Sequence, residues 1–144
     1  QEVNSPLMYY LNYTLETRKG NHLSLGLVYL IIAGLAELPV YGVNLPGHFI
    51  LAYMDEHKRI PGMPLSEAEV LFYISPYFKG TFFTHNEIDA FLKQRNTEPQ
   101  YSYYRPCNNI SIIKRLLREL ADSYKNTGND NKANEVEILL GIFK

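Results

Sequence analysis

The chain has 144 residues, 46% hydrophobic and 20% charged, a size and balance that suit one globular domain with a buried core. Its net charge is −1 and its pI about 6.5, so no basic field is present to draw in nucleic acid or an anionic lipid surface. A single cysteine, Cys107, excludes an intrachain disulfide and a cysteine-built zinc site, and fits a reducing, cytoplasmic setting.

Ser5-Pro6 reads as the N-cap and first position of a helix running to about Lys19 and stopped by Gly20. Leu7, Tyr10, Leu11 and Leu15 would share its apolar face. A second helix is expected over 24–36. It is apolar nearly all round, which predicts a central, buried element. Its apolar run is too short to span a bilayer, so no membrane association is expected. The first residue is Gln and no signal-like segment follows it, which predicts an excised piece or a processed product of a longer chain.

Pro39 ends the second helix, and "VYGVNL" (40–45) is β-branched and aromatic enough for a strand. Pro46-Gly47 is turn chemistry, and "HFILAYM" (48–54) is a second strand. Alternation places His48, Ile50 and Ala52 on one face, and Phe49, Leu51 and Tyr53 on the other. A charged loop fills 55–64, a third strand 71–75, and a hairpin 77–83 turns at Lys79-Gly80. Thr84 and Glu87 suggest a capping box for a helix to about Gln94. A polar, tyrosine-rich connection (96–108) leads to an amphipathic helix over 109–128, with Ile112, Ile113, Leu116, Leu117, Leu120 and Tyr124 inward. Residues 126–131 read as a turn and 132–143 as a last helix. The order is that of an α+β domain.

Three stretches carry a resemblance. They are "LNYTLETRKGNHLSLGLVYL" (11–30), "LPVYGVNLPGHFILAY" (38–53) and "PCNNISIIKRLLRELADSYKNTGNDNKANEVEILL" (106–140). Together they resemble the transglutaminase-like superfamily, and within it the SirB-type branch, whose core is followed by tetratricopeptide-like helices. Ala121, Tyr124, Gly128 and Ala133 are spaced as in one tetratricopeptide unit. The resemblance implies a papain/transglutaminase-like core with a buried central helix on a small antiparallel sheet, followed by a C-terminal helical pair. It divides the chain at 1–95 and 96–144, and it implies a further helical region upstream.

Such cores transfer acyl groups with Cys, His and Asp. The thiolate is favoured at a helix N-terminus, and the acid fixes and stabilises the imidazole. Carried over residue by residue, the nucleophile position is Ser24, the base is His48, and the acid position is Ser75. Two of the three have lost the family's reactive group. A helix end cannot ionise a serine hydroxyl, which needs an oriented general base.

Plainer readings stand beside these. Ser24 is also a natural N-cap, His48 a partly buried histidine bonded to Ser24 or to backbone, and Ser75 a strand-end residue. His22 reads as an exposed loop histidine. Asn12 and Arg18 match the branch pattern as binding residues or as tethers of the first helix; Tyr29 and Asn44 complete the binding candidates. Cys107 lies in a loop, His57 and His85 have no metal-ligand spacing, and no cofactor is expected. Asp55 and Glu37 are the nearest carboxylates along the chain to His48. Tyr101, Tyr103 and Tyr104 suit either a binding surface or a loop closed over the core.

The expected function is therefore a non-catalytic domain that binds protein or peptide. A weak Ser-His hydrolase of amides or esters and a purely structural fragment stay open. No ligand or oligomeric state follows from the sequence.

Overall fold

The computed structural model describes residues 5–56, 62 and 69–143. They form five α-helices and a four-stranded antiparallel sheet, so the α+β class holds. Contacts group the chain into two compact units, Gln1–Leu25 with Asn108–Lys144, and Gly26–Cys107.

In the first unit the single helix expected over 5–19 is two pieces. A 3-10 helix, Pro6–Tyr9, is capped by Ser5, whose Oγ accepts from Leu7 N–H at 3.4 Å. Tyr10 is extended, and α1 (Leu11–Thr17) follows. In one continuous helix Tyr9 and Tyr10 would diverge by about 100°. The break lets both pack on the cluster of Leu120, Ala121, Tyr124, Ala133 and Val136, where the Tyr10 and Tyr124 hydroxyls bond to each other. Arg18, at φ 58°, takes the left-handed position that ends α1. Gly20 has another task, because a Cβ there would lie 2.4 Å from Ser24 Oγ and 2.9 Å from Thr14 Oγ1.

Helix α2 (His22–Leu35) begins in this unit, two residues before the expected start. Helix α4 (Asn109–Asn126) is capped by Asn108, and α5 (Asp130–Ile142) by Asn129. The turn before α5 is shorter than expected, because Gly128 at φ 82° reverses the chain and Asn129 is already the cap. Ile112 and Leu120 of α4 are buried as predicted, with Leu117 packed on the α4–α5 cluster.

In the second unit the sheet order is β1-β2-β3-β4: β1 (Val40–Val43), β2 (Ile50–Met54), β3 (Val70–Ser75) and β4 (Thr81–Phe83). Its register pairs Gly42 with Leu51, Leu51 with Ile74, and Ile74 with Phe82. The predicted alternation sets the layers. Ile50, Ala52 and Met54 join Tyr73 and the buried Ile88 and Leu92 of α3 (His85–Gln94) in one core. Phe49, on the opposite parity, is wholly buried, and a Cβ on Gly26 would come within 2.6 Å of its ring.

Helix α2 is not buried all round. Ile31, Ile32 and Leu35 are 48%, 60% and 82% exposed. The strands are only three to six residues long, and what they offer α2 is an open apolar groove lined by Ile32, Leu38, Phe72 and Phe82. The hairpin turns at Lys79 and Gly80, both at positive φ, as expected. Thr84 is the N-cap of α3 by backbone angle, but its hydroxyl makes no capping bond. Residues 96–107 pack with the sheet. Tyr101–Tyr104 forms a 3-10 helix whose Tyr104 is buried, while Tyr101 stays 66% exposed. Pro106 bridges to Val43, and Cys107 N–H donates to Gly42 O at 2.8 Å.

Candidate functional site

His48 owes its position to the turn before it. Gly47 has φ +74°, which glycine adopts without steric cost, and His48 N–H closes the turn on Leu45 O at 3.3 Å. A Cβ on Gly47 would also meet the Arg95 guanidinium at 2.6 Å, and Arg95 in turn lies 5.4 Å over the Phe91 ring.

From this turn the imidazole reaches the end of β3. His48 Nε2 and Ser75 Oγ are 2.8 Å apart. Ser75 is 4% exposed, and its oxygen also accepts from Phe78 N–H at 3.4 Å. Around the imidazole stand Phe78, Phe91 and Tyr77, with ring centroids at 5.6, 6.1 and 6.4 Å. A cavity of about 240 Å³ opens beside it, walled by Leu45, Phe78, Phe83 and Phe91, with Glu87 at its edge. His48 and Ser75, two of the positions expected from the resemblance, are thus brought together, and what Ser75 offers the imidazole is a neutral hydroxyl. It can orient the ring, and it carries no charge to stabilise imidazolium.

Ser24 lies in the other unit and is engaged locally. It is the third residue of α2, not its cap. Asn21 is the cap: its Oδ1 accepts from Leu23 N–H and Ser24 N–H, both at 3.0 Å. Ser24 Oγ reaches back to accept from Asn21 N–H at 3.0 Å. This is a reciprocal capping box with serine in the third position, so the N-x-x-S spacing at 21–24 was a usable signal. Both residues are buried, Ser24 completely.

His22 is not an exposed loop residue. It opens α2 with its side chain 16% exposed, and its Nε2 is 3.3 Å from Glu119 Oε1. Arg115 Nε is 3.5 Å from the other Glu119 oxygen. Burial alone would raise the pKa of Glu119. The His22 hydrogen bond and charge, with Arg115, outweigh it and hold the carboxyl below its usual range.

Of the remaining candidates, Asn12 and Arg18 are exposed on and just after α1. Tyr29 is 36% exposed at the edge of the apolar groove, and Asn44 is half-buried after β1. Cys107 donates its thiol to Gly42 O at 3.3 Å, a structural tie to β1. Glu37 has φ 57° just after α2, and Asp55 N–H donates to Glu69 O at 2.8 Å. His57 lies outside the described residues. Among those described, no three His, Cys, Asp or Glu side chains are grouped to hold a metal ion. No helix among them is long and apolar enough to cross a membrane.

The sequence reading missed a second histidine pair. His85 Nδ1 is 3.3 Å from Asp89 Oδ2, and its ring stacks on Tyr104 at 4.1 Å. The i, i+4 spacing of His85 and Asp89 was visible; the tyrosine was not.

Among curated proteins, the chain is 27% identical over 140 residues to the UPF0162 protein of Xylella fastidiosa strain 9a5c, covering 92% of this chain and 45% of that relative. It matches the UPF0162 protein of strain Temecula1 with the same identity and coverage. The chain therefore spans less than half the length of these relatives. No solved structure matches it. The family profile described as transglutaminase-like superfamily matches residues 1–118. With most of the chain inside that match, on an α+β framework carrying the expected sheet, this protein belongs to the transglutaminase-like superfamily.

Proposed function

We propose that this domain does not catalyse acyl transfer and acts by binding a protein or peptide. The observation that carries the reading is the 2.8 Å contact between His48 Nε2 and Ser75 Oγ. In a serine protease, replacing the acid behind the histidine costs about 10⁴ in kcat. At the nucleophile position the loss is compounded, because the Ser24 hydroxyl serves as a helix-capping acceptor and is fully buried. On this reading Ser24, His48 and Ser75 are the degenerate positions of a Cys-His-Asp site.

The apolar cavity beside His48 supports binding, since Leu45, Phe78, Phe83 and Phe91 suit one apolar side chain of a peptide. We also assign the chain to the SirB-type branch, with α4 and α5 as one tetratricopeptide-like pair. Ala121, Tyr124 and Ala133 lie in the cluster between those helices, as that motif requires. Ile138, Leu139 and Ile142 of α5 stay at least half exposed and would face a partner.

A fluorophosphonate probe and p-nitrophenyl acetate test the first half. No labelling and no turnover above buffer are expected; labelling that disappears in Ser24→Ala would overturn it. Panning a displayed peptide library tests the second half. Peptides sharing an apolar anchor should be enriched, and the enrichment should vanish with Phe78→Asp. Failure to enrich any such anchor sinks the binding reading.

A further inference from the structure

The apolar groove of the second unit shares no residue with the cavity beside His48. It holds about 390 Å³ between the later turns of α2 and the sheet face that carries Tyr53, Phe72 and Phe82. Beside it stands a ridge. Ile31 and Leu35, four residues apart on α2, share one side of the helix and are both well exposed. We propose that a second copy of this chain docks here about a two-fold axis. The Ile31–Leu35 ridge of each copy lies in the groove of the other, which sets Leu35 against the partner copy's Phe82.

The groove is formed in advance. Tyr53 and Phe72 are cross-strand partners whose rings stack at 5.0 Å, and Phe82 continues the ladder at 4.8 Å from Phe72. The opposite wall is aliphatic, with Val28, Ile32 and Leu38. A floor already fixed by ring contacts needs little further ordering when a side chain enters. A row of side chains four apart is also the ridge that helix packing most often uses.

The character of the patch favours a second copy over an unlike partner. Ridge and groove lie side by side on one surface, so a single two-fold operation fills both grooves at once and the patch is its own complement. Among the described residues that line the groove, none is charged. A two-fold interface brings like patches together, so a charged patch would repel itself and this one does not. The whole chain carries a net charge of only −1, which leaves little long-range repulsion between copies. The area suffices as well. Tyr29, Ile31, Ile32, Leu35, Leu38 and Phe82 are between 36% and 82% exposed. At about 200 Å² for a fully exposed large side chain they offer about 700 Å² per copy, near the figure of about 800 Å² per partner in a standard interface.

Sedimentation velocity and light scattering of the intact chain, between about 1 μM and about 500 μM, read the association directly. The mass should rise with concentration from the 16.6 kDa of one chain to twice that, and stop there. Leu35→Lys and Phe82→Glu should each weaken the dimer at least tenfold. Both side chains are mostly exposed, so each variant should keep the parent's unfolding midpoint at a concentration where the parent is a monomer. Mixing the two variants tests the arrangement itself. In the mixed pair the introduced lysine of one copy meets the introduced glutamate of the other, while the second contact remains Leu35 on Phe82. That pair should therefore form at least tenfold more tightly than either variant with itself. A chain that stays monomeric throughout overturns the proposal, whatever else the groove then takes. A dimer indifferent to both substitutions, a mass that grows beyond two copies, or a mixture no tighter than its components overturns it too. Ser24, His48 and Ser75 are untouched in these variants, so the outcome stands apart from the proposed loss of catalysis and from the peptide cavity.

Discussion

Ser75→Asp puts a carboxylate where a neutral hydroxyl now sits 2.8 Å from His48 Nε2. An opposite charge at such range stabilises imidazolium. At an effective dielectric of about 20, Coulomb attraction over about 4 Å is about 4 kcal/mol, before subtracting the cost of burying the new carboxylate. Because Ser75 is nearly buried, that cost is large, and the net expectation is a rise of about 1–3 units in the pKa of His48 relative to the unsubstituted protein. The linkage sign is fixed by the direction. A histidine raised in the folded state contributes stability that is full below its unfolded pKa of about 6.5 and lost as pH rises through the folded value. Ser75→Asp should thus be more stable at pH 6 than at pH 9 relative to the parent, while Ser75→Asn should show no such tilt. The assay is NMR titration of the His48 Cε1 proton, paired with urea unfolding at the two pH values. If His48 titrates within a few tenths of a unit in all three proteins, Ser75 is not the residue that stands behind the imidazole, and the account of the missing acid fails.

Ser24→Ala should destabilise by about 1–3 kcal/mol in urea unfolding, because Asn21 N–H then loses its buried acceptor; a neutral result would refute the capping role. Gly26→Ala should cost about 1–3 kcal/mol by crowding Phe49, exceeding the helix-propensity gain of about 1 kcal/mol, and Phe49→Leu should relieve part of it. Burial and the Asp89 bond push the Tyr104 hydroxyl up to about 12, and burial with the Tyr10 bond does the same for Tyr124. Tyr9 is likewise pushed up to about 12, and burial raises Tyr73, so stability should hold below pH about 10 and fall between there and 12, with Tyr104 and Tyr124 among the late phenolates in the ultraviolet titration. Glu119 is held low, so its contribution is present above the ordinary carboxylate value and lost as pH falls through its lowered one; Glu119→Gln should flatten that acid limb in urea unfolding.

The local grammar of the chain was legible. Pro46-Gly47 and Lys79-Gly80 announced turns that the backbone makes, and alternation along 48–54 sorted Ile50 and Ala52 from Phe49 before any layer was known. Turns and strand faces depend on neighbours within a few residues, so a linear reading reaches them. The start of α2 was misread for a different reason. Asn21 and Ser24 both cap well, and only their mutual hydrogen bonds decide which one is the cap. The break at Tyr10 was hidden too, because it is driven by the distant partner Tyr124 rather than by helix propensity.

By itself, then, the order of residues determined the α+β class and the superfamily, and it put serine at both positions, 24 and 75, that we propose descend from a nucleophile and an acid. Tertiary structure alone decided which remote groups meet the three described imidazoles: Ser75 at His48, Glu119 at His22, and Asp89 with Tyr104 at His85. The physical reason is range. Helix period, turn geometry and residue type are properties of short stretches, whereas a hydrogen bond between remote segments exists only once the apolar cores have fixed where those segments lie.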